Sequence, residues 1–340
     1  MKRRVTAALA VSAAVLAGCP TGPAPAAREV VVYCALDRLY AEPILEAFTA
    51  RTGIAVKPKW DAEATKTTGL VEAIRAERDR PRCDVFWNNE VGQTIGLARE
   101  GLLEPYASPA AAGLPPSARD PEGRWTGFAA RARVLIVNTD LVPEAEQPTS
   151  YRDLVDPRWK GRAGIAGPLF GTTATHVAAL FAALGPDEAK AWMRALHDNE
   201  VLVCAGNATV KDKVAAGELA FGLTDTDDVN LALLAGKPVR AVFPDQADGA
   251  LGTLLIPNSV AVIKGAPRPA EARALVDHLL SPEVEAALAA SRSAQVPLRP
   301  GAPRAAWIPA ELRTFPVTWD QVADAFAAAR AFGRDEFLRR

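Results

Sequence analysis

Short apolar runs alternate along the chain with segments whose apolar residues recur every three or four positions. The first run, Glu29–Tyr33, predicts a buried β-strand, and Ile44, Leu45 and Phe48 then predict the buried face of an α-helix. Further strands are predicted near residues 54–58 and 84–87, and further helices near residues 70–78 and 93–100. Strands that alternate with helices in this order favour a mostly parallel sheet with helices on both faces.

Two long extended segments interrupt this alternation. Residues 131–138 and 252–263 are both predicted to be extended, and between them the alternation of strands and helices begins again. A chain that leaves one α/β lobe through the first segment and returns through the second forms a hinged pair that can close around a ligand. The predicted N-lobe comprises residues 29–130 and about 256–295, and the predicted C-lobe comprises residues 131–255 and about 300–340.

The N-terminus predicts export and lipid attachment. Three positive residues at positions 2–4 precede an apolar stretch too short to span a bilayer, as in a cleaved signal peptide at residues 1–18. The segment Leu16-Ala17-Gly18-Cys19 resembles the bacterial lipobox, which implies that Cys19 becomes the first mature residue and carries lipid. Residues 19–28 would then form the lipidated cysteine and a stiff tether. We therefore expect a protein of the periplasm or cell envelope, anchored to the membrane through Cys19.

Composition and charge exclude one class of partner. Of the 340 residues, 49 % are apolar and 23 % are charged, as in an ordinary globular protein. The formal net charge of −1 becomes −4 once the three positive residues of the signal are removed. Because no basic stripe is present, we expect no nucleic-acid binding. Cys34, Cys83 and Cys204 lack metal-site spacing and are expected to be buried free thiols, with one disulfide as the alternative.

Four longer segments follow one another in a recognisable order. They are VVVYCALDRLYAEPILEAF, RCDVFWNNEVGQTIGLAREGLLEPY, SYRDLVDPRWKGRAGIAGP and AAGELAFGLTD. Together they resemble the ferric-iron-binding periplasmic proteins of ABC importers, over a span from about Glu29 to about Pro300. The resemblance implies the type 2 periplasmic-binding fold, an α/β fold of two lobes with two hinge crossings. It also implies a monomer that delivers its cargo to an ABC transporter permease.

The resemblance also implies a set of site residues. The family's iron ligands are a His, a Glu and two adjacent Tyr, and phenolate is the ligand that makes such sites strongly ferric. In this chain their positions fall on Asp37, on Asn89 with Glu90 beside it, and on Asp227 and Asp228. The positions that hold the family's accompanying anion fall on Gly171, Thr172, Thr173 and Asn207.

An acidic turn supplies candidate cation ligands on its own chemistry. Asp225, Asp227 and Asp228 crowd three carboxylates at the end of a predicted strand, which is where open α/β sheets bind ligands. Oxygens of this turn and of the other lobe suit a hard cation such as Ca²⁺, Mg²⁺ or Mn²⁺, or an organic ammonium group. The alternative is a solvated acidic helix cap that needs no ligand.

Two further segments are candidate anion contacts. Residues 171–173 precede a predicted helix, where free N–H groups and hydroxyls could hold phosphate, carbonate or carboxylate. Lys66 and Thr67, in the lobe-one segment 65–69, could face the same anion or balance the aspartates. In both segments the alternative is a helix start capped by a hydroxyl.

Three functions remain open at this point. The leading interpretation is a solute-binding protein that captures a metal ion, with or without an anion. The second is a binding protein for a small organic phosphate, phosphonate or ammonium solute. The third is an enzyme or a structural envelope lipoprotein on the same fold. Because HExxH, GxSxG and a Cys-His pairing are all missing, we predict neither catalysis nor a catalytic cofactor.

Overall fold

A computed structural model describes residues 28–61 and 67–339, in which ten strands and ten α-helices follow one another. The strands are β1 (Glu29–Cys34), β2 (Ala55–Trp60), β3 (Val85–Asn88), β4 (Leu103–Glu104), β5 (Thr126–Asn138), β6 (Ala163–Ala166), β7 (Leu202–Cys204), β8 (Phe221–Asp225), β9 (Val239–Val242) and β10 (Leu255–Ile263). The helices are α1 (Arg38–Thr52), α2 (Thr68–Ala76), α3 (Gly92–Arg99), α4 (Gly171–Leu184), α5 (Pro186–Asp198), α6 (Asn207–Ala215), α7 (Thr226–Leu234), α8 (Pro269–Leu279), α9 (Pro282–Ala290) and α10 (Trp319–Phe332).

The first sheet forms the centre of what we call the N-lobe. Strand β1 pairs in parallel with β2 on one side and with β3 on the other. Strand β10 returns antiparallel beside β3 and then pairs with β5. All four residues of β3 are buried, as expected for a strand whose two faces are covered by helices.

The second sheet forms the centre of what we call the C-lobe. Strand β8 lies between β6, to which it is parallel, and β5, to which it is antiparallel. Strand β7 extends this sheet beside β6, and β9 pairs with β5. Helices α4, α6 and α7 begin a few residues or fewer after β6, β7 and β8 end. Their N-termini therefore gather at the carboxyl edge of this sheet, where α/β proteins bind ligands.

Two strands carry the chain between the lobes. All 13 residues of β5 are buried; up to Ala132 it pairs with β10, and from Arg133 onward with β8. Strand β10 begins at Leu255 opposite Ala132, and its register with β5 shifts at Pro257 and Asn258. The predicted pair of α/β lobes with two crossings is therefore confirmed. The first crossing strand starts earlier than predicted because its N-terminal half belongs to the N-lobe sheet.

The last helix touches both lobes. It begins with a capping box, in which the Thr318 N–H donates to Gln321 Oε1 at 2.8 Å and the Gln321 N–H donates to Thr318 Oγ1 at 3.3 Å. Val322 and Phe332 join the C-lobe core. On the N-lobe side Arg99 of α3 pairs with Asp324 of α10 at 2.6 Å. Helix α10 therefore lies across the boundary between the lobes.

Some local predictions are tested by the described residues, and others fall outside them. Helix α1 begins at Arg38, so Pro43 is its sixth residue. Trp87 of β3 is fully buried against Phe128. Cys34, Cys83 and Cys204 are free and buried, as expected. Among the described residues, no helix is both long and apolar enough to cross a membrane. The predicted signal peptide and the predicted lipid attachment site Cys19 lie outside the described residues.

Candidate functional site

A cleft of about 300 Å³ lies at the carboxyl ends of the strands and has walls from both lobes. Asp37, Tyr40 and Asn89 come from the N-lobe, where they follow β1 and β3. The C-lobe wall is made by the first turns of α4, α6 and α7. The cleft brings together nine of the predicted site residues, namely Asp37, Asn89, Gly171, Thr172, Thr173, Asn207, Asp225, Asp227 and Asp228.

The acidic turn forms one wall of the cleft. Asp225 ends β8, and Asp227 and Asp228 lie in the first turn of α7, with one carboxylate oxygen of each within 4.8 Å of the others. Burial, followed by the neighbouring Asp227 and Asp225 carboxylates, raises the pKa of Asp228 to about 8. Thr224 Oγ1 donates to Asp228 Oδ2 at 2.8 Å and partly offsets this shift. A positive group that enters the cleft would relieve this repulsion.

Two buried arginines, which the sequence analysis missed, oppose the acidic turn. Arg133 donates to Asp225 Oδ1 at 2.7 Å, and Arg131 Nη1 lies 3.3 Å from Asp225 Oδ2 and 3.6 Å from Asp227 Oδ2. Burial alone would raise the pKa of Asp225, but Arg133 and Arg131 more than offset it, so this pKa is lowered. The signal for both was present: Arg131 and Arg133 are two residues apart in an apolar strand, and therefore point to the same face.

The predicted anion-binding side chains are bonded to one another. Thr172 Oγ1 donates to Asp225 Oδ2 at 2.6 Å, and Asn207 Nδ2 donates to the same oxygen at 3.0 Å. Arg133 donates to the hydroxyl oxygens of Thr172 and Thr173, each at 3.2 Å. These bonds fix the first turns of α4 and α6 at the cleft. Because the first N–H groups of a helix have no carbonyl partner inside the helix, both helix starts present donors and a positive dipole end to the cleft.

The N-lobe wall combines a carboxylate, a phenol and an amide. Asp37 precedes α1 and is half-buried, and Tyr40 lies one turn later. Burial, with Asp227 and Asp37 nearby, raises the pKa of Tyr40 above its usual range, so this phenol stays protonated. Asn89 is buried, and its Oδ1 accepts a hydrogen bond from Thr67 Oγ1 at 3.0 Å.

Two predicted residues, Glu90 and Thr67, do not line the cleft in the structure. The Glu90 carboxylate accepts from the Gly92 N–H at 2.6 Å and from Thr175 Oγ1 at 3.1 Å, so it caps α3 and reaches α4 instead. Burial raises the pKa of Glu90. Thr67 lies behind Asn89 and supports it. Lys66 lies outside the described residues.

A cleft between two hinged α/β lobes, lined by charged groups of both signs, defines a binding protein for a small polar solute. The sequence profile of the bacterial extracellular solute-binding proteins matches residues 44–315 of this chain. The chain therefore belongs to the family of bacterial extracellular solute-binding proteins.

The comparisons with individual proteins agree with this class. The chain is 29 % identical over 301 residues to the major ferric iron-binding protein of Neisseria meningitidis, covering 84 % of this chain and 86 % of that protein. It superimposes on iron-bound HitA from Pseudomonas aeruginosa with a TM-score of 0.81 and 29 % identity, covering 91 % and 99 % of the two chains. A periplasmic protein of Salmonella paratyphi A named for 2-aminoethylphosphonate binding is 26 % identical over 254 residues, 73 % of this chain and 71 % of that protein. The predicted resemblance and the type 2 periplasmic-binding fold are confirmed.

Proposed function

We propose that this protein is the lipid-anchored receptor of an ABC importer and captures a hard metal ion together with a small anion between its lobes. The observation that carries this proposal is that the cleft is bipolar. Asp37, Asp227 and Asp228 form an acidic side, whereas Arg131 and the N-termini of α4 and α6 form a side that attracts anions. A cation and an oxyanion that bind next to each other satisfy both sides.

The charge balance of the cleft supports a cation whose charge is shared with an anion. The four carboxylates of Asp37, Asp225, Asp227 and Asp228 face the positive groups of Arg131, Arg133 and Lys211. With all four carboxylates ionised, which requires Asp228 to lose the proton that its raised pKa retains near neutral pH, the excess is one negative charge, and this is too small to balance a bare trivalent ion. An accompanying anion at the helix N-termini supplies the remaining negative charge. Two of the compared proteins are described as ferric iron-binding and as iron-bound, which is consistent with a metal cargo.

Lobe closure follows from the placement of these groups. Asp37 and Asn89 belong to the N-lobe and the acidic turn belongs to the C-lobe, so a cargo that contacts both stabilises the closed form. The protein would then hand its cargo to a permease, as a monomer and without catalysis. We also propose lobe boundaries near residues 130 and 255, because β5 changes its sheet partner and β10 begins there.

A second candidate cargo is one zwitterionic organic molecule, and Arg131 is the observation that favours it. Its guanidinium already occupies the space beside Asp225 and Asp227, where a metal ion would compete with it. An ammonium group at Asp228 and Asp37, with a phosphonate or phosphate at the helix N-termini, would use the same two sides. The relative named for 2-aminoethylphosphonate binding is consistent with this candidate.

Calorimetry separates the two candidates. Purified full-length protein in detergent is titrated with ferric citrate, with Mn²⁺ in the presence and absence of phosphate, and with 2-aminoethylphosphonate. The metal proposal expects heat with a metal salt and an anion, and its loss in Asp227→Ala and Asp228→Ala. Heat with 2-aminoethylphosphonate alone would favour the organic cargo, and no heat with any probe would contradict both.

A further inference from the structure

The amide of Asn89 has a fixed orientation in the cleft wall. Thr67 Oγ1 donates to Asn89 Oδ1 at 3.0 Å, and both residues are buried. Thr67 has a φ of 70°, a backbone conformation that β-branched residues rarely adopt, and its N–H bonds to the Asp61 carboxylate. The Thr67 hydroxyl therefore takes one of the two acceptor positions of Asn89 Oδ1 and fixes the orientation of the amide. Within residues 28–61 and 67–339, Nδ2 of Asn89 makes no hydrogen bond, so it is the donor that remains for a cargo.

A second donor lies beside the first. Arg131 Nη2 donates to the main-chain oxygen of Asn89 at 2.7 Å, which places the guanidinium against this residue. Arg131 is 4 % exposed and lines the cleft, and its Nε has no hydrogen-bond partner among the described residues. A buried N–H without a partner is costly, so a cargo that supplies an acceptor oxygen here gains binding energy.

The carboxylate of the next residue, Glu90, does not add an acceptor oxygen to this part of the cleft wall. Glu90 is buried, and its two oxygens accept from the N–H groups at the start of α3, from Asn88 and from Thr175. It is therefore held beneath the cleft wall. The segment that follows β3 presents a donor to the cleft instead of a metal-binding oxygen.

We propose that Asn89 is a specificity residue that selects a cargo bearing an oxyanion, by donating from Nδ2 to an oxygen of that cargo. It acts together with Arg131, and it does not coordinate a cation through Oδ1. The cargo class is thus a cation that enters with an oxyanion, or a molecule carrying both charges. This inference rests on the proposed binding function of the cleft and specifies the chemistry of the part of its wall that Asn89 and Arg131 form.

Three variants test the donor role against a ligand role. Asn89→Asp replaces the donor by an acceptor-only group of the same size, and Asn89→Ala removes both. Thr67→Val releases Oδ1 and lets the amide turn over. Asn230→Asp is the matched control, since Asn230 lies on α7, outside the cleft, and bonds to Arg292 and Trp307. Thermal melting of each full-length variant first establishes that it is folded.

Binding is then measured by calorimetry with Mn²⁺ alone, Mn²⁺ with inorganic phosphate, ferric citrate and 2-aminoethylphosphonate. For whichever oxyanion-bearing probe the native protein binds, we expect about tenfold weaker binding in Asn89→Ala and a larger loss in Asn89→Asp. Asn89→Asp should in turn bind Mn²⁺ alone more tightly than the native protein does, and Asn230→Asp should match the native protein throughout.

The outcomes separate this inference from the function on which it rests. Native binding that is unchanged in Asn89→Ala, or strengthened with an oxyanion in Asn89→Asp, would overturn the donor role and leave the proposed function standing. If the native protein binds none of the probes, the proposed function falls and this inference falls with it. If binding of the oxyanion-bearing probe weakens less in Thr67→Val than in Asn89→Ala, the inference is supported, because the turned amide retains part of its donor capacity.

Discussion

Asp225 has two roles. It ends β8 beside the cleft, and its carboxylate neutralises the charge of the fully buried Arg133. The 2.7 Å bond between them lies inside a network that also contains Thr172 and Asn207. A buried charge that loses its partner is expensive, whereas a half-exposed carboxylate can be replaced at little cost. Asp225 is therefore a structural residue, in addition to the cargo-binding role proposed for the acidic turn.

The variant Asp225→Asn tests this structural task. It leaves the Arg133 guanidinium buried without a carboxylate, so we expect the free energy of unfolding to fall by about 3 kcal/mol. Urea unfolding of the full-length protein measures the change. The control is Asp37→Asn at the half-buried opposite wall, which should stay within about 0.5 kcal/mol of the native protein. Equal effects of the two variants would contradict the assigned role of Asp225.

Asp228 should make stability depend on pH in a specific direction. Its pKa is raised to about 8 in the folded protein by burial and by Asp227 and Asp225, against about 4 in an unfolded chain. The folded state thus holds this proton more tightly, and the associated stability is present below pH 4 and is lost as the pH rises towards 8.

Asp228→Asn removes this titration, so its melting temperature should fall less than that of the native protein between pH 5 and pH 8. Thermal melting followed by circular dichroism across this range measures the difference, with Asp37→Asn as the reference. Parallel pH profiles for the native protein and Asp228→Asn would refute the raised pKa.

Residue chemistry was predicted best where a polar group follows a strand. The acidic turn was placed at a strand end from its own chemistry, and Asp37 and Asn89 were implied by the family resemblance; the structure gathers all of them in one cleft. Arg131 was missed because an arginine inside an apolar run was interpreted as part of a strand without a site. Glu90 could not be told from Asn89, since adjacent residues at a strand end point in opposite directions and only the packing of α3 and α4 decides between them.

Helix α4 matters because its first turn forms the proposed anion-binding wall of the cleft. The turn begins at Gly171, whose φ of 56° favours glycine, and a Cβ there would meet no atom within 4 Å. The backbone conformation, not crowding, therefore requires glycine. Any change in this conformation re-aims the N–H groups of the first turn.

We predict that Gly171→Ala lowers the free energy of unfolding by about 1 kcal/mol and also weakens binding of an anion-bearing cargo. Gly53→Ala is the matched control: Gly53 closes α1 with a φ of 69°, also in open space, and lies outside the cleft. Both variants should lose similar stability in urea unfolding, but only Gly171→Ala should bind more weakly in calorimetry. Equal binding by the two variants would show that the first turn of α4 contributes nothing to recognition.

The sequence predicted which strands and helices are present more reliably than it predicted the residues at which they begin and end. Periodicity predicted the alternation of strands and helices and both crossings. Periodicity predicted the apolar face of α1 but not its start, because Pro43 lies inside the helix at its sixth position. The start of β5 was placed late because its pairing with β10 depends on a strand more than a hundred residues away in the sequence.

The proposed membrane attachment depends on one residue, Cys19, which lies outside the described part of the chain. If Cys19 carries lipid, Cys19→Ala should release the protein from the membrane fraction while its cargo binding in solution stays unchanged. Fractionation of cells expressing the two forms, with calorimetry of the purified proteins, measures both properties. A Cys19→Ala protein that remains in the membrane fraction would contradict lipid attachment at this site.

Both lobes are needed for the proposed function, because the C-lobe provides the acidic turn and the N-termini of α4 and α6, whereas the N-lobe provides Asp37 and Asn89 across the cleft. The proposal therefore predicts that one cargo is held by both lobes at once. A cargo bound only by the acidic turn would make no contact with the positive wall at the N-termini of α4 and α6.

Native mass spectrometry of the full-length protein, purified without chelator and paired with metal analysis of the same sample, tests this most directly. We predict close to one metal ion per chain together with the mass of a small anion, and the loss of both in the Asp227→Ala, Asp228→Ala double variant. A bound organic mass without metal, or a bound metal that survives in the double variant, would contradict the account.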